Sequence, residues 1–206
     1  MLKRRALLSF AALLPPLAVA SRARAQEASQ QQLAAATSFI AATAKEFTTV
    51  LNGADAGAQR QSQLQAIVDR NVDVPGIAKF CLGRFWRVAS PTQQQAYLDL
   101  FHRVLMESIT GKVGEYKGVA IAVGKAAPRE GAIDVPTTIN RPGNPPSNVD
   151  WLVSGAGGGF KIIDVIVEGT SMRLTQRSDY YSYLSRNNDD VGALINALKQ
   201  QAARQG

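Results

Sequence analysis

Apolar positions first recur at helical spacing between residues 33 and 52. Leu33, Ala36, Ile40, Phe47, Val50 and Leu51, with Thr43 completing the stripe, lie three or four residues apart, and Asn52-Gly53 supplies a stop signal. This predicts a long amphipathic helix, preceded by polar residues 26–32 that are expected to fray. Leu64, Ile67 and Val68 mark a second helix. Asp73, with Pro75 close behind, starts a short third helix that holds Ile77, Phe80 and Leu82 and stops at Gly83. Ser90-Pro91-Thr92-Gln93 reads as a capping box, with Ser at the cap, Pro at the first helical position and Gln reaching back. Behind it Tyr97, Leu98, Phe101, Val104, Leu105, Ile109 and Val113 form a broad apolar face that predicts a helix to about Gly114.

The period then changes to two. Val119, Ile121 and Val123 alternate with alanines. Ile133, Val135, Thr137 and Ile139 alternate with Asp134, Pro136, Thr138 and Asn140, and Val149, Trp151 and Val153 repeat the pattern. The run from Phe160 to Glu168 is apolar on both faces, which predicts cover on both sides, with Asp164 set between isoleucines. Four strands joined by short connections make an antiparallel meander, and Pro136 predicts a bulge or an edge. Residues 125–130 and 142–148 read as loops, and the glycine-rich stretch 155–159 as a turn, since no helix and no Lys-Ser/Thr pair follow it. Two helices close the chain, one after Gly169 and one carrying Val191, Leu194, Ile195 and Leu198. The fold class is α+β: N-terminal helices packed on a curved four-stranded antiparallel sheet, followed by two C-terminal helices, enclosing an apolar cavity.

Composition changes this picture at the N-terminus. Lys3, Arg4 and Arg5 precede an apolar stretch from Ala6 to Ala20, and Ala23-Arg24-Ala25 has the small-x-small form of a cleavage site. Residues 1–25 are therefore expected to be a cleaved signal peptide, with 26–206 a single exported domain. The paired arginines leave twin-arginine export open beside the general route. Five of the chain's 23 Lys and Arg residues fall before residue 26 and none of its 16 acids does, so a formal charge of +7 becomes 18 against 16, or +2. A nearly neutral domain loses the electrostatic case for nucleic-acid binding.

Candidate chemistry is sparse. One cysteine, Cys81, and one histidine, His102, support neither an intramolecular disulfide nor a zinc site, and no dinucleotide fingerprint follows a strand, so no metal or cofactor is expected. His102 reads as a solvated or hydrogen-bonded helix residue. Asp164 is the one enzymatic candidate, a carboxylate in an apolar cavity with Tyr116, Tyr180 or Tyr181 as proton partner. The alternative pairs Asp164 or Glu168 with Arg173, Arg177 or a backbone amide.

Several stretches together resemble one family. Val72-Asp73-Val74, then residues 82–91 (LGRFWRVASP) with Gln93-Gln94, Tyr97-Leu98 and Phe101, are similar to the (V)DF…LGxxWrxAtpeQrxxFxxxF signature of the MlaC, or toluene-tolerance, proteins. Tyr116-Lys117-Gly118 resembles its YxG, and residues 160–177 resemble its WKvyDvxveGvSlvxnyR. The resemblance implies a non-enzymatic periplasmic lipid carrier. It would shuttle phospholipid between an outer-membrane lipoprotein complex and an inner-membrane MCE-domain protein of an ABC transporter, maintaining outer-membrane lipid asymmetry. The sequence departs from the pattern at Val74, Phe160 and Ile109, and residues 172–178 look more like a hopanoid-associated branch, so a polycyclic lipid is the alternative cargo. Lipid-binding residues are expected among Phe80, Leu82, Trp86, Leu105, Ile109, Tyr116, Val135, Ile139, Trp151, Val153 and Ile166.

Overall fold

The computed structural model describes residues 17–54, 57–111, 113–155 and 159–205. Residues 1–16 of the expected signal peptide and 156–158 of the glycine-rich turn lie outside the described residues. Two compact units meet between Gln32 and Leu33. The first is described by the start of helix α1 (Leu17–Asn52), which runs through residues 26–32 where fraying was expected. Alanine, glutamine and glutamate there have high helix propensity, which offsets the missing apolar stripe.

In the second unit, α1 ends at Asn52 as the stop signal predicts, and α2 (Gly57–Asn71) and α3 (Val74–Leu82) follow. Asp73 caps α3 by accepting from the Gly76 amide at 3.0 Å, and its own amide donates to the Ile162 carbonyl at 2.9 Å, tying the helix start to the sheet. Gly83 ends α3 with φ of 59°, a conformation costly for other residues, and a Cβ there would meet the Arg177 guanidinium at 3.2 Å. A 3-10 segment (Gly83–Arg87) leads to α4 (Pro91–Thr110). Both bonds of the capping box form: Gln93 N–H to Ser90 Oγ at 3.2 Å, and Ser90 N–H to Gln93 Oε1 at 3.0 Å. α4 stops at Thr110, short of Gly114, and Val113 starts a separate 3-10 turn, Val113–Tyr116.

The sheet is an antiparallel meander of six strands: β1 (Ala120–Val123), β2 (Ala127–Arg129), β3 (Ala132–Asn140), β4 (Ser147–Ser154), β5 (Lys161–Val167) and β6 (Thr170–Ser171). Four are the predicted strands. β2 lies in the stretch expected to be a loop, and β6 is a two-residue return after the turn at Glu168-Gly169, both at positive φ as a type I′ turn requires. β1 and β2 both pair with β3 and form one interrupted edge strand. Val123 faces Thr137 and Ala127 faces Asp134, so three residues oppose two beside Pro136. The Pro136 carbonyl accepts from Gly124 at 2.8 Å, so its missing N–H points at this irregularity, as the proline predicts.

Apolar side chains form two clusters. The larger joins α2 to α6, with Leu64, Val68, Leu82, Tyr97 and Leu184 all at most 1% exposed. At about 1.5–3 kcal/mol per fully buried large side chain, this layer contributes most of the hydrophobic stabilisation. The smaller joins Ala36 and Ile40 of α1 to Val135, Val153 and Ile162 of the sheet. Val72 packs against both. Ile162, Asp164 and Ile166 are buried while Lys161, Ile163, Val165 and Val167 are half-buried, so the cover expected on both faces of β5 is complete on one only. α5 (Met172–Arg186) and α6 (Val191–Gln205) complete the helical layer.

Candidate lipid-binding site

Helix α1 and the edge strand β1 do not close on each other. Ala41, Ala44, Lys45, Thr48 and Asn52 share one stripe of α1 and face Val119, Ala120, Ile121 and Val123 across a cleft of about 400 Å³. The cleft exists because the α1 side chains at the closest approach are alanine and threonine, too short to fill the gap to the strand. Its volume lies in the range of small-ligand pockets. Asn52 closes one end: its Nδ2 donates to the Val119 carbonyl at 3.2 Å and its Oδ1 accepts from the Gly118 amide at 2.8 Å. Towards the other end the floor passes through Val123 into the α1–sheet cluster. Lys45 is the only cation lining it, and it has no carboxylate partner among the described residues.

None of the eleven expected residues lines this cleft. Phe80, Leu82, Trp86, Leu105 and Ile109 belong to the helical cluster, Val135, Trp151 and Val153 to the α1–sheet cluster. Ile139 pairs across the ladder with Ile121 of the cleft wall. Tyr116 lies under the Arg141 guanidinium, 5.1 Å from the ring centre, and Ile166 is buried on β5. Trp151 is held by its side chain: Nε1 donates to Thr137 Oγ1 at 2.9 Å, and that hydroxyl donates to the Val149 carbonyl at 2.8 Å. Sequence reasoning missed the cleft because Ala41, Ala44 and Thr48 look like any small helix residues. The available signal was the small-residue spacing on the stripe beside the predicted core positions.

A second cleft, about 350 Å³, lies where α2, α3 and α4 meet and is lined by His102, Asp69, Asp99, Gln95 and four apolar residues. Its polar groups satisfy each other: His102 Nε2 is 2.6 Å from Asp69 Oδ1, and Gln95 Nε2 donates to Asp99 Oδ1 at 2.9 Å. The histidine is the hydrogen-bonded helix residue that its position predicts.

Asp164 is similarly committed. It is 3% exposed, and its Oδ1 accepts from the amides of Val165 at 2.8 Å and Arg173 at 3.1 Å. Its Oδ2 accepts from Ser171 Oγ at 2.5 Å and lies 3.3 Å from Arg173 Nε. Ser171 caps α5 by accepting from Leu174, so the carboxylate latches β5 to the helix start. Tyr180 packs edge-on to Tyr97 at 6.1 Å, Tyr181 lies under Arg84 at 5.0 Å, and among the described residues no tyrosine hydrogen-bonds Asp164. The geometry is that of the paired reading rather than of a free acid. Cys81 lies close by, 2% exposed; burial first, and the Asp164 charge second, push its thiol up to about 12, so it stays protonated and inert.

Residues 41–200, which include the cleft stripe and the Asp164 latch, match the MlaC protein family. The chain is 27% identical over 145 residues to the toluene tolerance protein Ttg2D of Pseudomonas putida, an alignment covering 68% of this chain and 66% of that relative's length. Its backbone matches the structure of the phospholipid-binding protein from Ralstonia solanacearum in complex with a phospholipid, with a TM-score of 0.72 at 22% identity, over 82% of this chain and 97% of that one. The fold is thus shared with a lipid-bound structure, and the matched segment holds every residue that lines the cleft. On these grounds the chain belongs to the MlaC family.

Proposed function

We propose that this chain is a periplasmic phospholipid carrier, exported with residues 1–25 as a cleaved signal peptide, whose mature domain takes up acyl chain in the cleft between α1 and β1. The observation that carries the reading is the open, largely apolar slot of about 400 Å³ beside the α1–sheet cluster. Family membership and the likeness to a phospholipid-bound structure support it. The relative's name, a toluene tolerance protein, is in keeping with work on membrane lipids.

Each methylene withdrawn from water gains about 0.8 kcal/mol, so a partly sequestered chain is held firmly without any covalent step. The same strength means that cargo leaves when a partner opens the slot rather than by simple dissociation. The partners of this reading are an outer-membrane lipoprotein complex on one side and an inner-membrane MCE-domain protein of an ABC transporter on the other. In this reading no covalent step is needed: Asn52 is spent on the backbone of Gly118 and Val119, and Lys45 is placed to meet an anionic group at the slot.

The test is native mass spectrometry of residues 26–206 purified gently from the periplasm, with fragmentation of the released adduct. A stoichiometric phospholipid is expected, and Ala41→Trp and Ile121→Trp, which fill the slot, are expected to lower occupancy while circular dichroism stays native. Unchanged occupancy in both variants refutes the slot; a polycyclic adduct changes the cargo; an adduct-free wild type refutes the carrier.

A further inference from the structure

Between Val74 and Leu98 the sequence carries Lys79, Arg84 and Arg87 and no acidic residue. The first turns of α5 add Arg173 and Arg177. These segments meet in space. The guanidiniums of Arg173 and Arg177 lie 4.6 and 4.9 Å from the Phe80 ring centre. That of Arg84 lies 4.7 Å from Phe85 and 5.0 Å from Tyr181. Lys79 stands over Trp86 at 5.2 Å. Among the described residues two carboxylates form ion pairs with these cations: Asp164, beneath Arg173, and Asp189, 3.5 Å from Arg84 and itself half exposed. Lys79, Arg87 and Arg177 have no carboxylate partner among the described residues.

The same two segments hold the large apolar side chains that are most exposed among the described residues. Val88 is 74% exposed, Leu174 56%, Tyr181 49% and Met172 41%. Leu174, Arg177 and Tyr181 lie three and four residues apart, on one stripe of α5. Apolar side chains standing singly among stacked cations do not form the dry, contiguous centre that a protein interface buries. They match what an anionic bilayer surface takes: cations for phosphates, arginine forks held flat by aromatic rings, and a few apolar or tyrosyl tips for the headgroup layer.

We propose that this face, built from the 3-10 segment Gly83–Arg87 and helix α5, docks on an anionic lipid surface. Lys79, Arg87 and Arg177 meet phosphate groups, while Val88, Leu174 and Tyr181 enter the headgroup layer. The proposal rests on the carrier reading for its purpose, since a carrier gains by waiting at the membrane from which its cargo comes. It does not rest on that reading for its evidence.

The test is co-sedimentation of the mature chain with vesicles of phosphatidylglycerol mixed with phosphatidylcholine, against phosphatidylcholine alone. Binding is expected only to the anionic vesicles, and to be lost between about 0.1 M and 1 M salt as the screening length shrinks to about 3 Å. Each exposed cation near such a surface strengthens binding about fivefold, so Lys79→Gln with Arg87→Gln weakens it about 25-fold. Leu174→Asp also weakens it, while Lys199→Gln on α6 leaves it unchanged; all these side chains are exposed, and circular dichroism verifies their folds. Equal binding to both vesicle types, no binding to the anionic ones, or a double variant that binds like wild type overturns the proposal; the second result would assign the face to an acidic protein. Cargo is read separately by mass spectrometry. A chain that carries lipid yet ignores anionic vesicles removes the docking face alone, and one that binds vesicles yet carries nothing removes the carrier reading alone.

Discussion

Replacing Asp164 by Asn separates a structural latch from a reactive acid. The carboxylate is 3% exposed and has four partners, the amides of Val165 and Arg173, the Ser171 hydroxyl and the Arg173 guanidinium. Asparagine has the same shape and keeps one oxygen, enough for the two amides on Oδ1. In place of Oδ2 it presents an N–H to a hydroxyl that already accepts from Leu174, and to a guanidinium that loses its counter-charge. Breaking a buried pair from one side costs about 3–5 kcal/mol when the abandoned charge stays buried. The Arg173 side chain is 25% exposed and stacks on Phe80, so part of that is recovered, and about 2–3 kcal/mol remains. With a urea dependence of about 2 kcal/mol per molar, the unfolding midpoint falls by roughly 1–1.5 M, followed by circular dichroism at neutral pH. Ser171→Ala costs less, and in the double variant the two losses overlap by 0.5 kcal/mol or more, at about the threshold for coupled neighbours. Bound lipid per folded molecule stays the same. A midpoint shift under about 0.25 M, or loss of lipid without loss of stability, refutes the latch.

Three further outcomes are expected. Thr137→Val removes the hydroxyl between Trp151 Nε1 and the Val149 carbonyl, so it costs about 1–3 kcal/mol and alters Trp151 fluorescence; an unchanged spectrum and melt would count against the relay. Ser90→Ala breaks the capping box of α4 and costs about 1 kcal/mol in thermal or urea unfolding, with Ser90→Asp restoring most of it. Burial, the largest cause in each case, pushes the thiol of Cys81 up to about 12 and the phenols of Tyr97 and Tyr180 above their ordinary value. The unfolded chain therefore sheds these protons first: stability is full below the ordinary Cys value of 9.0 and falls as pH climbs towards about 12. Each group contributes up to about 1.4 kcal/mol per pH unit, and urea midpoints that stay flat from about pH 8 to 11 would contradict this.

Much of the fold is written in short-range chemistry. The Ser90-Pro91-Thr92-Gln93 box, the Asp73 cap and the Asn52 stop are each decided within a few residues, because a helix end is satisfied by its own nearest side chains. The strands from Ala120 to Val167 declare themselves by alternation, and Pro136 declares the irregularity beside it because it lacks a donor. β2 and β6 were not legible: segments of three and two residues carry too little alternation and exist only because β3 and β5 offer backbone partners. The Gly114 end point for α4 was too long, since the apolar spacing to Val113 survives after the helical hydrogen bonds stop at Thr110.

The amino-acid sequence by itself determined the class, the order of the helices and of the four longer strands, and the resemblance to one family, since these depend on composition and local period. Tertiary structure alone decided what the apolar residues are for. It placed eight of the eleven expected site residues in two packed clusters and left the slot to residues such as Ala41, Ala44, Thr48 and Ile121, because a cavity is defined by side chains that fail to meet. It also turned Asp164 into a latch and brought Phe80 beneath Arg173 and Arg177, more than ninety residues further along the chain. No periodicity encodes such contacts; they arise when helices and strands pack, and packing depends on shapes that are far apart in sequence.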